Sequence, residues 1–334
     1  MMKVAFLIHS LEAPSCRYRV LQYLPYLRQQ GVDISVHLFK HHLLNKLKFY
    51  STLGQYDIVV IQRKLFSPVD FWYIRRRANR IVYDFDDALM YRSARSKNPY
   101  SFSRRIKFAY MMRQVDFVIA GNQFLKSEVL PYNSNVAIIP TPIDLSRYRL
   151  KEYSYGKGPI TIGWLGSRSS LRYLKSLIPA FENISKKCAD VQLKMVCSEF
   201  LDSANVPMIK KKWSLDEEEE DLKSFDIGVM PLSNDLWSKG KCGLKILQYF
   251  SVGVPVVSTP VGINQDIVED GINGFWAQNG LQWEDCLLRL IRDEGLRREM
   301  GLKGRETVRR AYSLEVNAPH FFSVLKKVME ERKR

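Results

Sequence analysis

Short apolar runs recur along this chain, with segments of helical periodicity between them. Residues 3–9 (KVAFLIH) form the first run, and residues 19–31 (RVLQYLPYLRQQG) follow with apolar positions at helical spacing and a closing Gly31. The alternation continues through DISVHLF, YDIVVIQR (56–63), RIVYDFD (80–86), VDFVIAGN (115–122) and NVAIIPTPID (135–144). The run at 56–63 is apolar on both faces, a pattern that suits a strand covered on both sides. Strand and helix in this rhythm predict an α/β fold with a doubly wound parallel sheet.

The polar, glycine-bearing stretch 151–159 (KEYSYGKGP) reads as a linker. The rhythm then restarts with strand ITIGWLG (160–166), helix LRYLKSLIPAFENI, and strands VQLKMVC, DIGVMPL (226–232) and VPVVSTP. A long helical stretch from Trp283 to Tyr312 precedes a last helix expected near 315–332. Two such halves predict a ligand cleft at the carboxyl ends of both sets of strands. The acidic run DEEEED (216–221) reads as a solvated helix start, its carboxylates suited to the positive end of the helix dipole.

Composition narrows the class. With 334 residues, 46% hydrophobic and 26% charged, the chain is globular and large enough for two domains. No apolar run reaches the ~18 residues of a membrane helix. The start resembles a signal peptide only superficially: the run after Lys3 is short, Glu12 interrupts it, and no small-residue cleavage site follows. Five cysteines, odd in number and without a CxxC pair, point to free thiols in a reducing compartment, and the histidines lack zinc-ligand spacing.

Charge separates the halves. The net charge is +16, but residues 1–150 carry 23 Lys+Arg against 10 Asp+Glu, and residues 151–334 carry 28 against 25. A basic first half implies an anionic partner: a membrane surface, nucleic acid or a lipid-phosphate substrate. The clusters at 63–80 and 91–113 interleave arginines with Phe, Trp, Tyr and Met. That mixture suits a membrane interface; without an RNP, KH or zinc-finger pattern, nucleic acid is not expected.

Four stretches carry candidate chemistry. In KGKCGLKILQYF (239–250), a helix would turn Leu244, Leu247 and Phe250 to the core and place Lys241, Lys245 and Gln248 on one face. Lysines gain nothing from the positive end of a helix dipole, so either this is an ordinary solvated face or an anion docks there. It is not a Walker A loop, because Asp235 stands where the first glycine would fall. The turn at Gly262, Ile263 and Asn264 follows a buried strand and offers backbone N–H groups to a second phosphate or a sugar hydroxyl. YDFDDALMYR (83–92) presents Asp84, Asp86 and Asp87, which read either as a divalent-metal and diphosphate site or as the cap of a helix beginning ALMYR. Pro14, Ser15, Arg17 and Arg19 lie between the first strand and the first helix, where an acceptor or phosphate would approach.

Read in order, these stretches resemble glycosyltransferases of GT-B fold, family 4 type. KGKCGLKILQYFSVGVPVVSTPVGINQDIVEDGINGF is similar to the donor-binding segment of bacterial members with a GKCxxKxLQYM helix. PSCRYRV, VYDFDDAL, VIAGNQFL and IIPTPID are similar to their first-domain segments, and IGWLGSRSSLRYL to the opening of the second domain. The resemblance implies two Rossmann-like domains facing a central cleft: an acceptor domain over 1–155, a nucleotide-sugar domain over 156–314, and a helix at 315–334 crossing back to the first. It implies donor contacts from Gly166, Ser167, Arg168, Arg172, Lys241, Lys245, Gln248, Gly262, Ile263 and Asn264. Acceptor contacts fall to Pro14, Ser15, Arg17, Arg19, Asp84 and Asp87, and catalytic roles to Asp86, Lys245 and Arg172. The chain departs from the general family where Gly240 and Gln248 replace the usual pair of glutamates, and where Asp86 falls at the usual first-domain histidine.

The expectation is therefore a glycosyltransferase moving a sugar from a nucleotide-sugar to a glycan or lipid-linked cell-envelope acceptor, with retention. It would work without metal or other cofactor, peripherally at the inner face of the cytoplasmic membrane. The rivals are a nucleotide-sugar epimerase or phosphorylase on the same fold, which needs no external acceptor, and a basic membrane- or RNA-binding protein with a degenerate donor site.

Overall fold

A computed structural model describes residues 1–39, 42–153 and 158–330. Two compact units emerge: Met1–Pro142 with Asp235–Cys242 and Leu314–Arg334, and Ile143–Asn234 with Gly243–Ser313. The expected break at 155/156 lies outside the described residues. The second unit begins earlier, at Ile143, whose N–H donates to the Tyr312 carbonyl. Within the expected linker, Lys151 bonds Asp226 and Tyr153 bonds the Gly253 carbonyl.

The first unit is a parallel sheet of β1 (Met2–Ile8), β2 (Val32–Leu38), β3 (Ile58–Gln62), β4 (Ile81–Phe85), β5 (Phe117–Ala120) and β6 (Val136–Ile138), in the order β2-β1-β3-β4-β5-β6. The apolar runs become strands because both faces are covered. One core packs Ala5, Val59, Tyr83 and Val118 against Phe71, Ile74, Phe108 and Met111 of the helices Pro68–Arg77 and Phe102–Gln114. The other packs Val4, Phe6, Val60 and Ile119 against Leu24 and Leu27 and against Phe321 and Leu325 of the last helix, Leu314–Glu330. Phe321 stacks on Tyr23 with ring centroids 4.6 Å apart; burying such a ring contributes about 2–3 kcal/mol.

The second unit contains β7 (Ile160–Leu165), β8 (Val191–Val196), β9 (Met208–Lys211), β10 (Ile227–Met230), β11 (Val256–Ser258) and β12 (Gly274–Trp276), in the order β12-β11-β10-β7-β8-β9. All pairings in both sheets are parallel. The fold class is α/β, with two doubly wound parallel sheets.

Several local expectations are corrected. The helix expected over 19–31 is two helices, Pro14–Arg19 and Leu24–Gln29, joined by a 3-10 turn. Pro25 has no N–H to offer and its ring crowds the preceding turn, so one continuous helix cannot form. No helix begins at ALMYR: Asp86–Met90 is irregular, and the Leu89 N–H turns back to the Asp87 carbonyl. The acidic run is not simply solvated. Glu218 accepts from Tyr148 and Trp213, and Asp221, 1% exposed, pairs with Lys194 and Lys211. Strands β9 and β12 lie at the sheet edges, where charge (IKK) and brevity (GFW) mask the strand pattern.

Candidate active site

In the first sheet the strand order reverses between β1 and β3, the place where ligands approach such sheets, beyond the carboxyl ends. His9 follows β1, and Arg63 follows β3. His9 Nδ1 lies 3.3 Å from Cys16 Sγ, and that thiol donates to Gln62 Oε1 at 3.4 Å. Burial, and then the charge of Arg63, hold the His9 imidazole below its ordinary value, while burial pushes the Cys16 thiol up. Arg63 is in the left-handed region at φ 58°, costly for a side chain with a Cβ. It is held there from three directions. Its N–H donates to the Asp84 carbonyl, its Nε lies 3.6 Å from Asp86, and its Nη2 pairs with Asp87. Burial would lower the Arg63 guanidinium, but Asp86 and Asp87 together raise it above its ordinary value. Asp86 keeps one buried oxygen, Oδ1, without a hydrogen bond.

Arg19 and Asp84, expected at the acceptor, instead close on each other. Arg19 is 1% exposed and Asp84 0%. Arg19 Nε donates to Asp84 at 3.2 Å, Nη2 forms a second bond to the same carboxylate, and Nη1 donates to the Ile139 carbonyl at 2.6 Å. Burial alone would lower the Arg19 guanidinium, and Asp84 overrides it; burial pushes the Asp84 carboxyl up against the pull of Arg19. The pair ties the helix Pro14–Arg19 to the end of β4 and presents neither charge to solvent, so an acceptor contact is not available to it. Pro14 opens that helix, the Ser15 carbonyl accepts from Gln62, and Arg17 lies 5.2 Å from the Tyr18 ring.

Lys241 and Lys245 do not share a helical face, which corrects the expected spacing. The helix begins only at Leu244, because Gly243 at its start is left-handed, φ 67°. Lys241 belongs to the first unit, 3.6 Å from Asp87 and 5.6 Å from the Trp237 ring. Lys245 is in the second unit, 5.8 Å from the centre of the Trp164 ring. Leu247 and Phe250 are core, as the spacing requires; Leu244 is only partly buried, and Gln248 is 2% exposed.

The second sheet reverses between β7 and β10, and β7 runs into Gly166, Ser167 and Arg168. A Cβ on Gly166 would stand 2.2 Å from the Trp164 ring, so the turn over that ring demands glycine. Ser167 N–H donates to Ser170 Oγ at 3.1 Å, while the Ser167 and Arg168 side chains face solvent, Arg168 paired with Glu199 at 2.9 Å. Arg172 folds over the Tyr173 ring and donates to its hydroxyl at 2.7 Å. After β11, Gly262 is left-handed at φ 57° and Ile263 is buried. Asn264 is fully buried, its N–H donated to Val261 and its side-chain amide to Thr259. Its N–H thus serves the turn, while its buried Oδ1 has no hydrogen-bond partner.

Sequence reading missed Arg63, His9, Gln62 and Asn122. The positive φ of Arg63 carries no signal in a residue other than glycine. Asn122 was legible, since an asparagine between an apolar strand and a helical run is an N-cap signature, and its Oδ1 does accept from the Leu125 N–H.

The fold with these two sheet edges is that of the GT-B glycosyltransferases. Residues 159–293 match the family described as glycosyl transferases group 1, a match that lies mostly in the second unit. An uncharacterized glycosyltransferase of Methanocaldococcus jannaschii is 25% identical over 214 residues, 62% of this chain and 58% of that protein's length. Anabaena HepE, solved with UDP and glucose, superposes with a TM-score of 0.75 at 16% identity, over 98% of this chain and 100% of that one. Sucrose-phosphate synthase from Thermosynechococcus elongatus gives 0.74 at 12% identity, over 98% and 99%.

Proposed function

We propose that this chain transfers a sugar from a nucleotide-sugar, with retention, to a glycan or lipid-linked acceptor of the cell envelope. The observation that carries the reading is the placement of Lys245 at the first turn of a helix opened by left-handed Gly243, in a unit matching the glycosyl transferases group 1 family. A cation at the positive end of a helix is unfavourable by itself and becomes favourable when an anion docks there. The UDP and UDP-glucose named with HepE support a nucleotide-sugar as that anion.

On this reading Lys245, Arg172 and Arg168 of the second unit stabilise the charge that grows on the departing diphosphate. The acceptor oxygen bonds to the anomeric carbon as the carbon–phosphate-oxygen bond breaks, and the acceptor proton passes to the leaving phosphate. Asp86 faces the reacting sugar. No divalent metal takes part: Asp84, Asp86 and Asp87 each already face a guanidinium or ammonium group.

The first unit supports docking at the inner face of the cytoplasmic membrane. Its helices Pro68–Arg77 and Phe102–Gln114 expose Trp72 (49%), Phe102 (84%) and Ile106 (43%) among arginines, with Arg76 lying 4.8 Å from the Trp72 ring. Among the described residues no helix is long and apolar enough to cross a membrane.

Calorimetric titration with UDP-, GDP-, dTDP-, ADP- and CMP-sugars, with and without EDTA, tests the donor. The reading expects one nucleotide class to bind at micromolar concentration, indifferent to EDTA and weakened about tenfold or more by Lys245→Ala. Folded protein that binds none of them overturns it.

A further inference from the structure

Resting on the donor reading above, we propose that Trp164 is a positioning residue, its ring the platform that holds Lys245 ready for the donor diphosphate. Both residues lie in the second unit, on β7 and on the helix Leu244–Ser251. Trp164 is 1% exposed, and its indole joins two stretches far apart in the chain. On one side, a Cβ at Gly166 would stand 2.2 Å from the ring carbons Cη2 and Cζ2, so the turn leading to Ser167 and Arg168 runs directly across the indole. On the other, the Lys245 ammonium lies 5.8 Å from the ring centre. The turn and the lysine both carry expected donor contacts, and one buried side chain connects them.

The helix is pinned beside that ring. Tyr249 stands one turn beyond Lys245 on the same helix face and is fully buried. Its hydroxyl accepts the Leu165 N–H at 3.0 Å and donates to the Val229 carbonyl at 3.5 Å. A Cβ on Gly228 would stand 2.5 Å from the Tyr249 ring, so the tyrosine is packed hard against β10. The bond to Leu165 fixes the helix against the residue next to Trp164, and Lys245 is thereby carried over the indole. With the backbone held on both sides, the place of the ammonium depends on its flexible stem and on what the ring offers it.

What the ring offers follows from its charge distribution. The positive end of a helix repels a lysine, whereas the face of an indole carries negative potential and attracts a cation. The indole bears no net charge, so it can hold the ammonium and still release it to a diphosphate. Phenylalanine in place of Trp164 keeps a smaller aromatic face, and leucine keeps none. The two substitutions therefore grade the platform while leaving Lys245 and its helix unchanged in sequence.

The test titrates the full chain with UDP, GDP, dTDP and ADP, following heat and tryptophan emission together. The tightest diphosphate is then taken to Trp164→Phe, Trp164→Leu, Lys245→Ala and the double variant Trp164→Leu/Lys245→Ala, all below their melting midpoints. The expected loss of affinity is about two- to fivefold in Trp164→Leu, smaller in Trp164→Phe, and absent when Trp164→Leu is added to Lys245→Ala. Saturating diphosphate should change the emission of wild type, and most of that change should vanish in Trp164→Phe and in Lys245→Ala. A residue that only fills the core would lower the melting midpoint and leave the coupling to Lys245 at zero. Trp164→Phe and the emission of Lys245→Ala decide the question even where Trp164→Leu does not fold. Wild-type affinity in both Trp164 variants, an equal loss with and without Lys245, or an emission change undiminished in Lys245→Ala overturns the inference while leaving the donor reading intact. Wild-type protein that binds no diphosphate overturns both.

Discussion

The Lys241 ammonium stands 3.6 Å from the Asp87 carboxylate, joining the loop after β4 to a segment that arrives after β10. Asp87 also receives Arg63, so one carboxylate is shared by two cations at the carboxyl edge of the first sheet. An approaching anion would compete with Asp87 for both.

The Arg19–Asp84 pair beneath this edge is expected to be structural and strongly coupled. Asp84→Asn leaves a buried guanidinium without its counter-charge and should lower the unfolding free energy by about 3–5 kcal/mol. Replacing both residues by Leu should cost much less than the two single changes together. Urea denaturation of the single and double variants gives the comparison through the shift in midpoint at constant slope.

Stability should depend on pH through His9. The unfolded imidazole takes a proton near its ordinary value of 6.5, whereas in the folded protein burial and then Arg63 hold it lower. Below that ordinary value the unfolded chain binds more protons than the folded one, so the His9 contribution is present above 6.5 and lost as pH falls through the folded value. Urea midpoints between pH 5 and 7.5 should rise with pH more steeply in wild type than in His9→Gln. An equal slope would remove His9 from the account.

Gly240→Ala tests the seat of Lys239–Cys242 by steric means. The new methyl would meet Ala88 backbone and side chain at 2.5–2.6 Å, so one of the two segments must shift. Destabilisation of about 1–3 kcal/mol is expected, the usual range for overpacking, and thermal denaturation reads it. Gly240→Ala paired with Ala88→Gly should recover part of the loss.

Membrane docking should be sensitive to both charge and aromatic surface. Co-sedimentation with vesicles containing anionic lipid is expected to fall several-fold in Trp72→Ala/Phe102→Ala and to weaken further as salt rises. Equal binding to neutral vesicles, or no effect of the double change, would redirect the basic first unit to another anionic partner.

Much of this molecule was legible before any coordinate. Runs such as YDIVVIQR and VDFVIAGN specify covered parallel strands because nothing else buries both faces of so short a segment, and the restart at ITIGWLG fixes a second sheet. The last helix was legible from its apolar period. The candidate site was legible only in part, because a linear pattern states which residue types are near one another in sequence, not which charges meet. Spacing alone put Lys241 and Lys245 on one helix; the left-handed turn at Gly243 divides them. Pattern alone left Arg19 and Asp84 as separate ligand contacts. Packing the helix Pro14–Arg19 over the end of β4 buries both, and two charges removed from water together must pair. The sequence by itself determined the two parallel sheets and the segments at their carboxyl edges, because those follow from local apolar periodicity. Only the tertiary structure decided which cation faces which carboxylate, because burial and distance between residues far apart in the chain set that choice.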